Sequence, residues 1–413
     1  MKKNILFSAL LFGALLSCKK KTFTEEPIIP PTTPIELGYS KLTVEENKKA
    51  LEKNGLDFIK KVDALPNENF IKLINRLVEL DFDMMSNTDL GIELQSIAQA
   101  AQQKQIGGLL SAVTTNNLEN TAALSEFFGI YTWDSKTSKW LKTNSTDKLE
   151  IHFPSTTTAS SNDAVLTANY TVSKVKAQLD GDYFELPATT NVLLKVGNKE
   201  ELKLTGVYEY KEDAFPTKID IKLNLGTFAF LVSGLSDSKT LNTKVWLAKD
   251  NIELLNLATT GNLNESRPPV KDIEHIEEIL KDANTTFDVM NIRITGQVNV
   301  KAIQEDYKAN RNLPAEVRRT KEIATLNKNS SLLAVYKDKN EVFAKNEFVM
   351  QEVIFPGFKY DPETGAWVPH NYVDYQLEPR LVFNDQSKVS LKTFFGKGFT
   401  SIIDEFDLFS NRF

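Results

Sequence analysis

His275 and Glu278 stand three residues apart in a run that also carries Glu274 and Glu277. On a helix that spacing places an imidazole and a carboxylate on one face, which could form the edge of a metal site or a general acid/base pair. A carboxylate-bridged di-metal centre needs a second motif of the same kind, and the sequence has none. The run is therefore expected to be a solvated acidic face opposite Ile273, Ile276 and Leu280. His152 and His370 have no serine or acid at a recognisable motif spacing, so both are expected to be structural or superficial. Three histidines and one cysteine in 413 residues leave almost nothing from which to build a zinc, copper or iron site, a disulfide framework or a Cys/His dyad, and no cofactor or metal is expected. There is no G-x-S-x-G elbow, P-loop, dinucleotide fingerprint, H-E-x-x-H pair or EF-hand loop. A carboxylate-dependent hydrolase stays open, because it needs two acids about 5 to 9.5 Å apart. The chain has 55 acids from which to draw such a pair.

Aromatic residues offer a different chemistry. Phe355, Phe358, Tyr360, Trp367, Tyr372 and Tyr375 cluster beside Pro356, Gly357 and Pro369. Rings with a polar tip suit a ligand face, by stacking on sugars or by lipid contact, and they equally suit cross-strand packing in a hairpin. Tyr360, Trp367 and Tyr372 are the candidate binding surface. The formal charge of -6, with no basic block beyond Lys19, Lys20 and Lys21, argues against a nucleic-acid partner.

The remaining reactive group is the thiol of Cys18. Lys2 and Lys3 form a basic head, and Ile5 to Leu16 an apolar stretch shorter than the roughly 20 residues that span a bilayer. The stretch ends in Leu15, Leu16, Ser17 and Cys18, which resembles the lipobox of bacterial lipoproteins. That resemblance implies cleavage before Cys18, acylation of its thiol and attachment to a membrane through lipid, each buried methylene adding about 0.8 kcal/mol. Removal of Lys2 and Lys3 from the 49 basic residues leaves 47 against 55 acids. Pro27, Pro30, Pro31 and Pro34 then mark an extended tether with a reach of about 60 Å at most. The expected organisation is a signal peptide over 1–17, the lipidated cysteine and tether over 18–40, a helical region over 41–120 and a sheet region over 121–413, with helices and sheet packed as one unit.

The elements that would position these groups follow from periodicity. Thr43 and Glu46 form a capping-box signature, and Leu51, Phe58, Ile59 and Val62 recur at helical spacing up to Pro66. Phe70, Leu73, Ile74 and Leu77 repeat the pattern behind Asn67 as a cap, which predicts a helical hairpin, and a weaker helix covers 91–106 before Gly107 and Gly108. Beyond about residue 125 the period becomes two. Ile219, Ile221, Leu223 and Leu225 alternate with polar residues, and short turns separate many such runs, as an antiparallel meander requires. Phe228 to Val232 is apolar on both faces, which places it centrally with the N-terminal helices as cover. Two further helices are expected at 273–283 and 315–327, and strands again at 331–337, 341–355 and 366–383. Asp134 to Trp140 and Asp361 to Trp367 share one turn pattern, and both predict hairpins flanked by paired aromatics. At the end of the chain Ile402, Ile403, Phe406 and Phe409 fit a short helix docked on the core.

The fold class is thus α+β, an N-terminal helical hairpin on a large antiparallel meander with two further helices. Lipobox, tether and meander together resemble the surface and periplasmic lipoproteins of Bacteroidota. The resemblance implies a location in the cell envelope, on the outer membrane, with either face open because Lys19 to Lys21 stand where a surface-export signal would be acidic. The expected function is a non-enzymatic binding lipoprotein that encloses a hydrophobic or lipid ligand between sheet and helices. An adhesin, scaffold or assembly lipoprotein that meets another envelope protein is the alternative.

Overall fold

The computed structural model describes residues 37–114, 124–179, 182–212, 214–237, 239–264 and 279–396. Cys18, most of the tether, the Glu274 to Glu278 run and the aromatic C-terminus lie outside the described residues.

Helix α1 (Val44–Val62) opens on the expected capping box: the Thr43 side chain accepts from the Glu46 N–H at 3.3 Å, and the Glu46 carboxylate accepts from the Thr43 N–H at 2.8 Å. The next helix starts later than Asn67 predicts. Asn67 instead closes a single 3-10 turn, because Pro66 fits the first turn of a tight helix, and α2 (Asn69–Glu79) follows from Glu68. A one-turn α3 (Met84–Asn87) leads into α4 (Asp89–Gln102), whose cap Thr88 accepts from the Gly91 N–H at 3.0 Å. Gly107 and Gly108 do not interrupt a helix; they lie inside α5 (Ile106–Thr114), and the break comes at Lys104 with φ +60°. Gly108 lets α5 close on α4, since a Cβ there would stand 3.1 Å from that of Ala100. α1 and α2 are consecutive, but α2 takes α4 as its close neighbour, and α1 runs on across the sheet.

The sheet begins with β1 (Gly129–Asp134), β2 (Lys139–Thr143) and β3 (Leu149–Phe153). It continues through β4 (Ala164–Leu179), β5 (Asp182–Val196), β6 (Lys199–Tyr210), β7 (Pro216–Leu225) and β8 (Phe228–Ser236). Next come β9 (Thr240–Lys249), β10 (Ile252–Leu263), β11 (Leu280–Val289) and β12 (Ile292–Val298). Two helices, α6 (Val300–Asn310) and α7 (Ala315–Asn329), precede β13 (Ser330–Tyr336), β14 (Glu341–Asp361) and β15 (Ala366–Val382). A short β16 (Lys388–Ser390) and α8 (Leu391–Gly396) end the described chain. All sixteen strands form one sheet in which consecutive strands from β3 to β16 pair antiparallel, while β1 pairs antiparallel with β2 and parallel with β3. Tight turns permit this meander: Asp250 and Asn251 both take positive φ between β9 and β10, as a two-residue hairpin demands.

The alternating pattern of β7 and β8 sorts as expected. Phe228, Phe230 and Val232 are buried with Ile221, Leu223 and the helical residues Phe70, Leu73, Ile74 and Leu77 in one core cluster. Ala229 and Leu231 lie half-buried on the outer face, where Leu231 pairs with Trp246. A second cluster joins α1 and α8 to β12–β15, and Asn47 of α1 receives a 2.7 Å hydrogen bond from the Tyr336 hydroxyl there. The helix expected over 273–283 is corrected where it is described: Leu280 and Ala283 belong to strand β11, because Ala283, Thr285 and Phe287 alternate inward and both backbone edges find partners in β10 and β12. The second inserted helix is α6, which starts from the cap Asn299 immediately after β12.

Candidate functional site

The expected hairpin at Tyr360 exists, and it is far longer than a turn. Sixteen cross-strand pairs, from Asn346 with Leu381 to Asp361 with Ala366, carry β14 and β15 away from the sheet as a two-stranded ribbon. At about 3.3 Å per residue it extends some 50 Å. β13 pairs with β14 through Glu341 to Lys345, and β16 pairs with β15 through Arg380 to Val382, so among the described residues no strand borders the distal part. The turn is built from its own sequence: Asp361 accepts from the Glu363 N–H and the Thr364 hydroxyl, which holds its carboxyl below the usual range, and Gly365 supplies φ +66°. Asp134 does the same with Lys136 and Thr137 in the β1–β2 hairpin, so the shared sequence pattern is shared turn chemistry.

An isolated hairpin is marginal in water, and α7 supports this one at its base. The Asn327 side chain caps the β14 edge, donating to the Phe348 carbonyl and accepting from its N–H, both at 2.8 Å. Arg319 donates to the Tyr375 carbonyl at 2.7 Å. Burial and then the Glu316 and Glu352 carboxylates push the Tyr375 phenol up, which sets α7 on the face that Tyr375 shares with Trp367.

Register decides which predicted site residues meet. Tyr360 pairs with Trp367 at a ring separation of 5.7 Å, and Phe358 with Pro369, Pro356 with Asn371 and Ile354 with Val373 continue the same face. Trp367 is 67% exposed, Phe358 62% and Tyr360 49%. Tyr372 pairs with Phe355 and therefore occupies the opposite face. There its ring covers Gly357, where a Cβ would stand 2.8 Å from it, and its hydroxyl donates to the Phe358 carbonyl at 3.0 Å. Two of the three candidate residues thus form one surface and the third braces the back of it. The prolines also restrict use of the ribbon: Pro356, Pro369 and Pro379 lack the N–H that an added strand would need. Four carboxylates, Glu352, Asp361, Glu363 and Asp374, surround the distal part with Lys359 as the opposing charge.

The described histidines are tied into neighbours. His152 contacts Glu150 at 2.7 Å, and Lys148 and then His152 hold that carboxyl below its usual range. The His370 ring meets Tyr372 edge-on at 4.8 Å. Among the described residues no group of three His, Cys, Asp or Glu is placed to hold a metal ion, and no helix is long and apolar enough to cross a membrane.

Two titratable clusters carried no motif. Glu93 on α4 is pushed up to about 8 by burial and then by the Asp89 charge, and burial followed by the Glu93 charge raises the Tyr208 phenol of β6. Asp288 of β11 is buried, which alone would raise it, but bidentate 2.8 Å bonds from Arg293 and a 3.0 Å contact with Lys337 hold it below its usual range. Arg293 faces Asp288 across the β11–β12 hairpin and is local in sequence, whereas Lys337 and the Glu93 charge near Tyr208 come from remote segments that no spacing along the chain reveals. No protein-family model matches the chain, and no curated protein and no solved structure matches it.

Proposed function

We propose that this protein is a lipid-anchored binding protein of the cell envelope, acylated at Cys18, that engages another envelope protein through the distal ribbon. The observation that carries this reading is the exposed face Ile354, Pro356, Phe358, Tyr360, Trp367, Pro369 and Val373, a largely apolar strip, interrupted by Asn371, of a kind that soluble surfaces rarely leave open without use. Rigid aromatic side chains bury much area at little entropic cost, which suits an interface centre. The partner that fits has a complementary apolar groove with a basic rim, facing the carboxylates around the strip. Contact by the face rather than by strand addition follows from the prolines on both edges. The tether of residues 18–40 gives the ribbon freedom to search for a partner at some distance from the lipid.

Photo-crosslinking tests this in intact membranes, with a benzophenone amino acid at position 358 and, as a control, at 139 on the far hairpin. A discrete adduct from position 358 that is lost in the Trp367→Ala background is the expected result. Equal or absent adducts from the two positions would refute the ribbon as the binding element. Palmitate-analogue labelling that persists in a Cys18→Ala chain would refute the anchor.

A further inference from the structure

A second site lies between the two helices inserted into the meander, away from the distal ribbon. β12 and β13 are antiparallel neighbours that a turn of about two to five residues could join, yet α6 and α7, of 11 and 15 residues, stand between them. The insertion adds little to the core: of the residues in the two helices only Asn310 is buried. Their facing sides are mismatched by sequence. Val300, Ile303 and Tyr307 recur at three- and four-residue spacing as an apolar stripe on α6, whereas the stripe of α7 that meets it is Arg318, Glu322 and Thr325. Polar side chains of that kind do not fill an apolar groove. A half-open cavity of about 370 Å³ stays between the helices, with Val298 also in its lining, a volume within the range of small-molecule sites.

Asp306 and Arg318 bring opposite charges to this cavity. Both are half-buried, and among the described residues neither has an ion-pair partner. Helical spacing offers Arg318 the carboxylate of Glu322, one turn on, but Glu322 is held by Arg319 at 2.5 Å. The Arg318 side chain donates from Nη1 to the Arg311 carbonyl at 3.3 Å, and its Nε and Nη2 have no acceptor among the described residues. The Asp306 carboxylate accepts at Oδ1 from the Asn310 amide at 2.9 Å, and its Oδ2 has no donor there. Asn310 holds that carboxylate in place, because its amide also donates to the Asp306 carbonyl at 2.8 Å and its oxygen accepts from Lys321 of α7 at 3.1 Å. Two opposite charges thus line one cavity without meeting, beside an apolar stripe.

We infer that the cavity between α6 and α7 binds a small zwitterion with an aliphatic side chain, its carboxylate on the Arg318 guanidinium, its ammonium on Asp306 and its side chain against Val298, Ile303 and Tyr307. The ligand class is that of aliphatic amino acids and short peptides with free ends. The planar fork of an arginine matches a carboxylate, and contacts in which both partners are charged are the strong ones. An ion of one sign would leave the other side chain uncovered, and a neutral lipid would desolvate both without compensation. The site is separate from the ribbon although α7 serves both, through Arg319 and Asn327 at the ribbon and through Arg318 at the cavity.

The test is calorimetric titration of the full chain carrying Cys18→Ser with leucine and with leucyl-leucine. Saturable binding of at least one of them is expected, weakened about tenfold or more when its amino group is acetylated or its carboxylate amidated, since each block removes one charge-assisted contact. The blocked ligands probe both contacts on the parent chain, without any substitution. Arg318→Gln is expected to bind the free and the amidated ligand equally, and Asp306→Asn the free and the acetylated ligand equally, with circular-dichroism spectra like the parent's. Trp367→Ala leaves binding unchanged, which separates this site from the ribbon. No saturable heat from either compound in the parent chain, equal affinity there for free and blocked ligands, or undiminished binding of the free ligand in both charge variants would overturn the assignment.

Discussion

The strands that face the N-terminal helices and the strands of the ribbon are written in the same code and end in opposite environments. In β7 and β8 the inward residues Ile221, Leu223, Phe228 and Phe230 lie under α2 and α4 in a filled core. In β14 and β15 the inward residues Ile354, Phe358, Tyr360 and Trp367 continue the same face of the same sheet, and they stand exposed. Alternation assigns a side chain to a face, whereas coverage of that face depends on where helices from distant parts of the chain come to rest. The covered region derives its stability from burial, and the ribbon from turn chemistry and the bonds of α7 at its base.

The largest effect expected from this contrast is in the helical core. Leu77→Ala removes a fully buried side chain and is expected to cost about 3 kcal/mol in urea unfolding. A change below about 1 kcal/mol would show that the helices are dispensable to the sheet.

The next effect depends on pH. The Glu93 carboxyl loses its proton near 4.5 when unfolded and near 8 when folded, so between those values the native state holds the extra proton and stability falls as pH rises. Above pH 8 the cost is fully present. Glu93→Gln is expected to flatten that decline and to stabilise the protein at pH 9 by on the order of 1–2 kcal/mol, read from denaturant midpoints at pH 5 and pH 9. Parallel pH profiles for the two proteins would place Glu93 in water.

Thr43→Ala removes the capping box of α1 and is expected to cost about 1 kcal/mol. Because α1 contributes to both main clusters, one cooperative transition should shift as a whole, and separate fluorescence and circular-dichroism midpoints would show that the two regions unfold apart.

The smallest effect should come from the ribbon. Trp367→Ala is expected to change stability by less than about 0.5 kcal/mol, since the ring is mostly exposed. A larger loss would mean that the aromatic face holds the ribbon together and is not free for a partner.

The helical start at Thr43, the strands from Ile151 to Leu257 and both Asp-x-x-Thr turns were legible because each is specified by residues a few positions apart. Leu280 and Ala283 misled, since helical spacing over a short apolar run competes with strand pairing that becomes visible only once β10 and β12 flank it. Tyr372 and Trp367 are neighbours in sequence, but they stand an odd number of residues apart on β15, so the alternation of the strand puts them on opposite faces, and the turn between Asp361 and Ala366 decides only that Tyr360 is the residue that meets Trp367.

By itself the sequence determined the class of the fold, the alternation that gives the sheet two unlike faces and the turn at Asp361, because propensity, period and capping act over a few residues. It also placed the lone thiol at Cys18, at the end of an apolar segment. The tertiary structure decided which stretches of the inner face are covered, that the Glu93 charge acts on Tyr208, that Asp288 meets Lys337 and that the Thr243 hydroxyl is left without a partner. Those outcomes depend on contacts between segments tens to hundreds of residues apart, where the spacing of residue types along the chain carries no record of distance in space.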